Sequence, residues 1–202
     1  MSRVHFLVLA LLFAGFGQVH AESVRRLGAI LPGLLYRSGG PKGTGAQSMS
    51  GGAVERLCDK GYSAVFYLYP TEKFRNKGQH NCGTGSTDYL ASGYRQADAR
   101  PAFERVYQAV NNGEGPVLVH CWNGRHASGE VAAYALKQFC GYSADDAVKY
   151  FISTLQSSER KSAQTKFKGI INRIKNFDPY EGLILTASQR SQYCNPENSI
   201  GD

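Results

Sequence analysis

Ten consecutive residues of this chain bring together the groups that a cysteine nucleophile needs. They read His120-Cys121-Trp122-Asn123-Gly124-Arg125-His126-Ala127-Ser128-Gly129. The apolar residues 117–119 before them predict a buried strand, and a helical pattern begins at Ala127. A loop between such a strand and helix turns backbone N–H groups and the positive end of the helix dipole toward one point, so it can bind an anion. The same groups stabilise a thiolate at Cys121, the form of cysteine that attacks phosphorus.

This segment resembles the active-site loop of the cysteine-dependent protein tyrosine and dual-specificity phosphatases, which reads His-Cys, five residues, Arg, and then Ser or Thr. Residues 35–39, Leu-Tyr-Arg-Ser-Gly, resemble the same family. The resemblance covers roughly residues 33–175. It implies an α/β domain with a mostly parallel central sheet flanked by helices. It also implies hydrolysis of phosphomonoesters, in phosphoproteins or small phosphorylated molecules, through a phospho-cysteine intermediate.

The resemblance implies a role for each matching position. Cys121 would be the nucleophile, and His120 would orient the loop through hydrogen bonds. Ser128 would hydrogen-bond the cysteine and help it to depart from the phospho-enzyme. The cradle for the substrate phosphate, or for another anion, would consist of Trp122, Asn123, Gly124, Arg125, His126 and Ala127.

One position departs from the family pattern, because Ala127 stands where the family has its arginine. That arginine forks onto two phosphoryl oxygens and tightens in the transition state. Losing one such donor costs roughly 10²–10³-fold in rate, and arginine fingers supply about 10³–10⁵-fold. We therefore expect a phosphatase of reduced or altered activity, or alternatively a non-catalytic pseudophosphatase that binds an anion or a protein partner. Rhodanese-like sulfur transfer fits less well, since His120 favours the phosphatase lineage.

Neighbouring cations offer two ways to replace the missing arginine. Arg125 and His126 lie in the loop, but at positions whose side chains usually point to its rim. We therefore favour the interpretation of Arg125 as a solvated rim charge. Arg95 or Arg100 could instead reach the loop from another element.

A general acid is needed to protonate the leaving oxygen. Asp98 lies where the family usually keeps its aspartate, after a short strand predicted at residues 93–96 and before a helix predicted at residues 101–112. We favour it over Asp88, whose separation from Cys121 is that of longer family members, although each aspartate could simply cap a helix or be solvated. Because no metal-ligand spacing of Cys, His or paired carboxylates is present, we expect neither a metal nor another cofactor.

The N-terminus predicts export. Arg3, the apolar residues 6–16 and the small residue Ala21 indicate a signal peptide at residues 1–21, too short to span a bilayer, so no stable membrane anchor would remain. We expect a periplasmic or secreted phosphatase-like domain at residues 22–177, followed by a tail at residues 178–202 that packs on the domain or extends from it.

Removal of Arg3 with the signal lowers the formal net charge from +7 to +6. That charge favours anionic partners, but no basic run with interleaved aromatics indicates specific nucleic-acid binding.

The chain has five cysteines, and in an oxidising compartment cysteines tend to pair. If Cys121 stays free, the other four can form two disulfides in any of three connectivities, among which the sequence does not choose. Cys58 and Cys140 fall in helical patterns and could equally be small buried side chains.

Hydrophobic periodicity predicts the remaining elements and a long surface loop at residues 71–92. The predicted strands lie within residues 33–41, 64–69, 93–96 and 116–120. The predicted helices cover residues 50–61, 101–112, 127–139, a segment opening with a capping box at Ser143, and residues 158–176. Residues 22–32 are expected to be a lead-in to the domain.

Overall fold

The computed structural model describes residues 24–41, 48–69, 74, 77–83 and 85–194. The predicted signal peptide therefore lies outside the described residues. Six strands are present: β1 (Gly28–Leu31), β2 (Leu35–Gly39), β3 (Ala64–Tyr67), β4 (Gly78–Cys82), β5 (Gly85–Ala91) and β6 (Val117–Cys121). The helices are α1 (Gly51–Asp59), α2 (Gln96–Asn112), α3 (Ala127–Cys140), α4 (Ala144–Ser153), α5 (Ser157–Arg160), α6 (Ala163–Lys166), α7 (Lys168–Lys175) and α8 (Ala187–Tyr193).

The strands form one mixed sheet in the order β1-β2-β6-β3-β5-β4. The four central strands are parallel, and each edge strand pairs antiparallel with its neighbour. Parallel strands joined by helices require both faces of the sheet to be covered, and helices lie on both faces here. The predicted α/β class with a mostly parallel sheet is confirmed.

Strand β6 divides its side chains between the two faces. Leu118 belongs to the core beneath α1, whereas Val117, Val119 and Cys121 belong to the larger core beneath the other helices. Successive strand residues alternate in direction, so His120 points to the α1 face and Cys121 points toward α3. The strand thus places the imidazole and the thiol on opposite sides of the sheet.

Two sequence-based predictions for the segment before β6 are wrong. Residues 71–92 contain the β4–β5 hairpin, whose polar edge strand β4 lacks the apolar signal of a buried strand. Residues 93–96 do not form a strand, because α2 begins at Gln96 and includes Pro101 in its interior. Burial of Ala99 and Phe103 against the core holds this earlier turn of helix in place.

The C-terminal half also differs in detail from the prediction. The single basic helix expected at residues 158–176 is three short helices, α5, α6 and α7. The lead-in expected at residues 22–32 contains the edge strand β1. Residues after 178 return to the core through Leu183 and Leu185, which are buried, before α8. Among the described residues, no helix is both long and apolar enough to cross a membrane.

Two disulfides are present, as the cysteine count predicted, and the structure supplies the connectivity. Cys58 of α1 pairs with Cys82 at the end of β4, and Cys140 of α3 pairs with Cys194 after α8. The remaining cysteine, Cys121, is free and buried. The two bridges therefore fasten the edge hairpin and the C-terminal segment to helices of the core.

Candidate active site

The loop from β6 to α3 is held from outside by its carbonyl groups. Each carbonyl of residues 122–125 accepts a hydrogen bond from another part of the fold. The donors are Gly40 N to Trp122 O at 3.0 Å, Arg26 Nη1 to Asn123 O at 2.8 Å, Arg37 Nη1 to Gly124 O at 2.7 Å, and Thr154 Oγ1 to Arg125 O at 3.2 Å. Strand β2, the segment before β1 and the end of α4 thus fix the loop together.

The outward carbonyls determine the direction of the N–H groups. In a planar trans peptide the C=O and the following N–H point in opposite directions, so the N–H groups of residues 123–126 face the inside of the loop. The N–H of Gly124 donates to Cys121 Sγ at 3.2 Å, and Ser128 Oγ lies 3.3 Å from the same sulfur. Such a ring of converging N–H groups at a helix start is a binding site for an oxyanion or a thiolate.

Gly124 is required at its position for two reasons. Its φ of 69° lies in the left-handed region that side chains avoid. A Cβ there would also collide with the backbone of Ser38 and Gly39 at the end of β2. The loop therefore packs directly on β2, and only a glycine permits that approach.

His120 precedes Cys121 and lies on the opposite face of the sheet. It is fully buried, its Nε2 lies 2.9 Å from the Tyr89 hydroxyl, and its ring stacks on Tyr67 at 4.9 Å. The Tyr89 hydroxyl accepts a hydrogen bond from Met49 N, so its proton is available for His120 Nε2. Burial lowers the pKa of His120 to about 3, and the imidazole is neutral at physiological pH. A neutral, buried imidazole of this kind carries no charge to the site.

Ala127, at the arginine position of the family pattern, is buried at the start of α3. One turn further on, the fully buried Glu130 forms a two-point ion pair with Arg173 of α7, at 2.6 and 2.9 Å. The hydroxyl of Tyr134 donates to the same carboxylate at 2.6 Å. This network ties the first turn of α3, and with it the end of the loop, to α7.

The prediction that Arg125 is a solvated rim charge is wrong. The residue is 8% exposed, and its guanidinium lies against the side-chain oxygen of Gln156 and 3.9 Å from the Glu159 carboxylate. His126 also turns to Glu159, at 3.2 Å, and packs on Phe167. The loop backbone directs both side chains away from the thiol, because their own N–H groups face it.

The cations proposed to reach in from α2 are placed differently from one another. Arg100 pairs with Glu104 at 2.7 Å on the exposed side of α2 and lies over the ring of Tyr180, so it is engaged away from the loop. Arg95 is the exposed N-cap residue of the same helix. Among the described residues, neither forms a hydrogen bond or an ion pair with the loop.

Aromatic side chains surround the mouth of the loop. Trp122 is 46% exposed at the rim, and Tyr69, after β3, packs on Tyr94 with ring centroids 5.3 Å apart. Burial, the nearby Cys121 and Tyr94 raise the pKa of Tyr69 to about 12, so its hydroxyl keeps its proton. The loop before α2 therefore reaches the rim of the site through Tyr94.

The two candidate acids lie at opposite ends of the sheet. Asp88 is paired in register with Ala64 at the beginning of β3, four residues before the level of the β6 terminus, and faces Arg105 at 4.0 Å. At about 3.3 Å per residue this places Asp88 roughly 13 Å from the edge of the sheet that carries Cys121, too far for the role of general acid. Asp98 lies at the correct edge, exposed in the first turn of α2, with its side chain directly over Gly93. Among the described residues, no hydrogen bond joins it to Cys121 or Ser128.

Sequence reasoning missed the residues that hold the loop carbonyls. Arg37 belonged to the Leu-Tyr-Arg-Ser-Gly segment that carried the family resemblance, so a signal for it was present. Arg26 stands alone in the lead-in, and no local pattern indicates that it donates to Asn123. Its φ of 51°, rare for a residue other than glycine, accompanies that contact.

Comparison with solved structures gives similar folds at low sequence identity. TpbA from P. aeruginosa is 15% identical over 77% of this chain and 96% of that chain, with a TM-score of 0.44. A mouse putative dual specificity phosphatase complexed with zinc tungstate is 16% identical over 78% and 91%, with a TM-score of 0.47. A TpbA cysteine-to-serine variant in complex with phosphotyrosine is 14% identical over 78% and 99%, with a TM-score of 0.43. No curated protein matches the chain significantly.

The family model described as "Tyrosine phosphatase family" matches residues 64–193, which is more than half of the chain. The match begins at β3 and includes the loop, the free Cys121 and all helices from α2 to α8. It agrees with the geometry in which a buried thiol lies under converging N–H groups. The chain therefore belongs to the tyrosine phosphatase family of cysteine-dependent phosphatases.

Proposed function

We propose that this protein hydrolyses phosphomonoesters at a reduced rate, through a phospho-cysteine on Cys121. The observation that carries the proposal is the contact of Cys121 Sγ with Gly124 N and Ser128 Oγ, inside a loop whose carbonyls are all held outward. A loop kept only for packing needs neither the thiol nor the hydroxyl beside it. Its substrates would be phosphoproteins or small phosphorylated molecules. The protein would act in the periplasm or outside the cell, after removal of the signal peptide.

The phosphoryl group would be transferred in two steps, first to Cys121 and then to water, and each residue of the site has a role in one of them. The Cys121 thiolate attacks phosphorus, a P–S bond forms, and the ester P–O bond breaks while Asp98 gives a proton to the leaving oxygen. A water then attacks the phospho-cysteine while the Asp98 carboxylate takes a proton from it, the P–S bond breaks, and phosphate leaves with Cys121 again a thiolate and Asp98 again protonated. Ser128, at 3.3 Å from the sulfur, stabilises the departing thiolate by donating a hydrogen bond. The inward N–H groups hold the phosphoryl oxygens throughout.

A second function, anion or partner binding without turnover, is favoured by one observation. Ala127 gives the loop no guanidinium, and the loop arginine Arg125 points away from the thiol into a contact with Glu159. Backbone N–H groups alone can bind a phosphate, but they do not supply the charge that an arginine adds in the transition state. The two functions differ only in whether this deficit leaves measurable turnover.

The deciding experiment measures hydrolysis of p-nitrophenyl phosphate by the wild type, Cys121→Ser and Ala127→Arg. The assay omits strong reductants, because the two disulfides are structural and only Cys121 must be a free thiol. We expect slow wild-type turnover that Cys121→Ser abolishes and that Ala127→Arg raises by about 10²-fold or more. Turnover that survives in Cys121→Ser would refute the enzymatic proposal.

A matched variant separates charge from bulk at the buried position 127. Ala127→Met adds a chain of similar reach without charge, so it reports the effect of filling this site. If wild type is silent and only Ala127→Arg is active, the protein is a binding protein with a repairable site. If both substitutions unfold the chain, wild type against Cys121→Ser still tests the chemistry. Fractionation of cells that express the full chain tests export.

A further inference from the structure

A cavity of about 670 Å³ lies on the outer, carbonyl side of the active-site loop. Its walls come from the segment before β1, from β2, from the loop itself and from the connection between α4 and α5. Four arginines line it, together with serine and glutamine side chains. The residues that line it include Arg26, Arg37, Arg125, Arg160, Gln156 and Ser158.

Three of the four arginines of this cavity, Arg26, Arg37 and Arg160, are held by uncharged groups. Arg37 donates to Gly124 O and to the Tyr150 hydroxyl, and Arg160 donates to Leu155 O and Ser153 O. In the part of the chain that the structure describes, neither of them nor Arg26 has a carboxylate partner. Their positive charges are therefore positioned but not neutralised.

Glu159 is the carboxylate that faces Arg125, and it is already shared with other cations. Its carboxylate lies 3.2 Å from His126 Nε2, 3.6 Å from Lys166 Nζ and 3.9 Å from Arg125 Nη1. It does not line the cavity. One carboxylate divided among three cations leaves the cavity with a clear excess of positive charge.

The positive charges of Arg26 and Arg125 lie close enough to repel each other. Burial and the charge of Arg26 both lower the pKa of Arg125, and Glu159 offsets them only in part. An anion placed between the two guanidinium groups would remove this repulsion. A negative ligand is therefore stabilised here by charges that otherwise oppose one another.

We propose that this cavity binds a small polyanion carrying two or more phosphate groups, at a site separate from the phosphate cradle of Cys121. Guanidinium groups bind phosphate oxygens in bidentate pairs, and four of them exceed what one phosphate needs. The volume lies within the usual range for small-molecule sites. Arg37 and Arg160 are fixed by their carbonyl contacts beforehand, so little side-chain entropy is lost on binding.

The two sites are separate because they use opposite sides of the same loop. The cradle uses the N–H groups that face Cys121, whereas the cavity lies where Arg26 and Arg37 contact the carbonyls of Asn123 and Gly124. A ligand in the cavity would contact the groups that hold the loop in shape. Occupancy of one site need not exclude the other.

The test is titration of the ¹⁵N-labelled, oxidised protein with inorganic tripolyphosphate, followed by NMR. We expect saturable shifts at the backbone amides of Gly28 and Ser158, at the cavity wall, also when tungstate already occupies the cradle. Arg160→Gln and Ser158→Asp should each weaken binding by about tenfold or more, since each removes or opposes a charged contact. Arg100→Gln is the matched control, because it removes the same charge from α2, away from the cavity, and should change affinity by less than about twofold.

Four results would overturn the proposal. Shifts confined to residues 122–128 and lost with tungstate would place the ligand in the cradle. An equal loss of affinity in Arg100→Gln and Arg160→Gln would indicate attraction by the diffuse positive charge of the protein. Absence of saturation would show that the cavity is no binding site. Retained affinity in Ser158→Asp would count equally against the proposed site. This variant provides the test if Arg160→Gln disturbs the fold.

Discussion

The ion pair between Glu130 and Arg173 is a strong test of how the loop is anchored. Glu130 is fully buried in the first turn of α3 and takes three hydrogen bonds, two from Arg173 and one from Tyr134. Replacing Arg173 by methionine keeps most of the side-chain volume but leaves the carboxylate with the tyrosine hydroxyl alone. A buried charge without its partner is strongly destabilising.

The expected loss is about 3 kcal/mol in the free energy of unfolding. Breaking a buried pair by removing one partner costs roughly 3–5 kcal/mol, and the lower end applies because Arg173 is 36% exposed and water can replace part of its contact. For a chain of this length that corresponds to a fall in melting temperature of about 6–12 °C. The double variant Glu130→Leu with Arg173→Met should recover most of the loss, since no buried charge remains.

Urea unfolding of the oxidised protein, followed by circular dichroism, measures these differences. Lys175→Met on the same helix is the matched control, because Lys175 pairs with Asp145 at 3.2 Å where both side chains are exposed. An exposed pair of this kind contributes about 0–1 kcal/mol. The reasoning is refuted if Arg173→Met loses no more stability than Lys175→Met, or if the double variant is less stable than Arg173→Met alone.

Three further predictions concern the loop support and the disulfides. Gly124→Ala should lose both folding stability and tungstate binding, because a Cβ there meets the backbone of β2. Gly141→Ala, at a similar φ of 68° with open space around it, should lower the free energy of unfolding by only about 1 kcal/mol. Calorimetry compares the two variants. The neutral, buried His120 binds a proton only when the chain unfolds, so its contribution to stability is complete above the ordinary histidine pKa of 6.5 and is lost as the pH falls toward about 3. Between about pH 6.5 and 5 the loss in the free energy of unfolding amounts to about 2 kcal/mol. The urea midpoint of His120→Gln should therefore vary less with pH than the midpoint of the wild type. Cys140→Ala with Cys194→Ala opens a bridge that spans 54 residues and should cost about 4 kcal/mol in urea unfolding; a loss below about 1 kcal/mol would argue against the pairing.

The sequence was sufficient to predict the active-site loop, because all the signals that indicate the loop are local. An apolar strand, His-Cys, a glycine and a helix start occur within a dozen residues, and each has a recognised physical meaning. The β4–β5 hairpin was not predictable in the same way, since β4 is polar and is held by pairing with β5 and by the Cys58–Cys82 bridge. These contacts join segments whose proximity no local pattern reveals.

The prediction for the orientation of Arg125 was wrong for a related reason. Its position in the loop suggests the rim, but its direction is determined by Glu159 and Gln156, which belong to a different helix and its N-cap. The same holds for Arg26, whose contact with Asn123 crosses nearly half the chain. Residue types at a site can thus be read locally, whereas the charges that surround it depend on the tertiary fold.

The construction of the loop separates binding from catalysis. In the proposed reaction, the N–H groups that face Cys121 would contact phosphoryl oxygens in the ground state and in the transition state alike, and Ala127 leaves these N–H groups in place. The absent guanidinium is the contact that strengthens only as the transition state forms, and losing such a contact lowers kcat without raising KM. Steady-state kinetics of wild type and Ala127→Arg should therefore differ mainly in kcat. A change confined to KM would show that the arginine position serves substrate binding, and would leave the slow chemistry to be explained by the placement of Asp98.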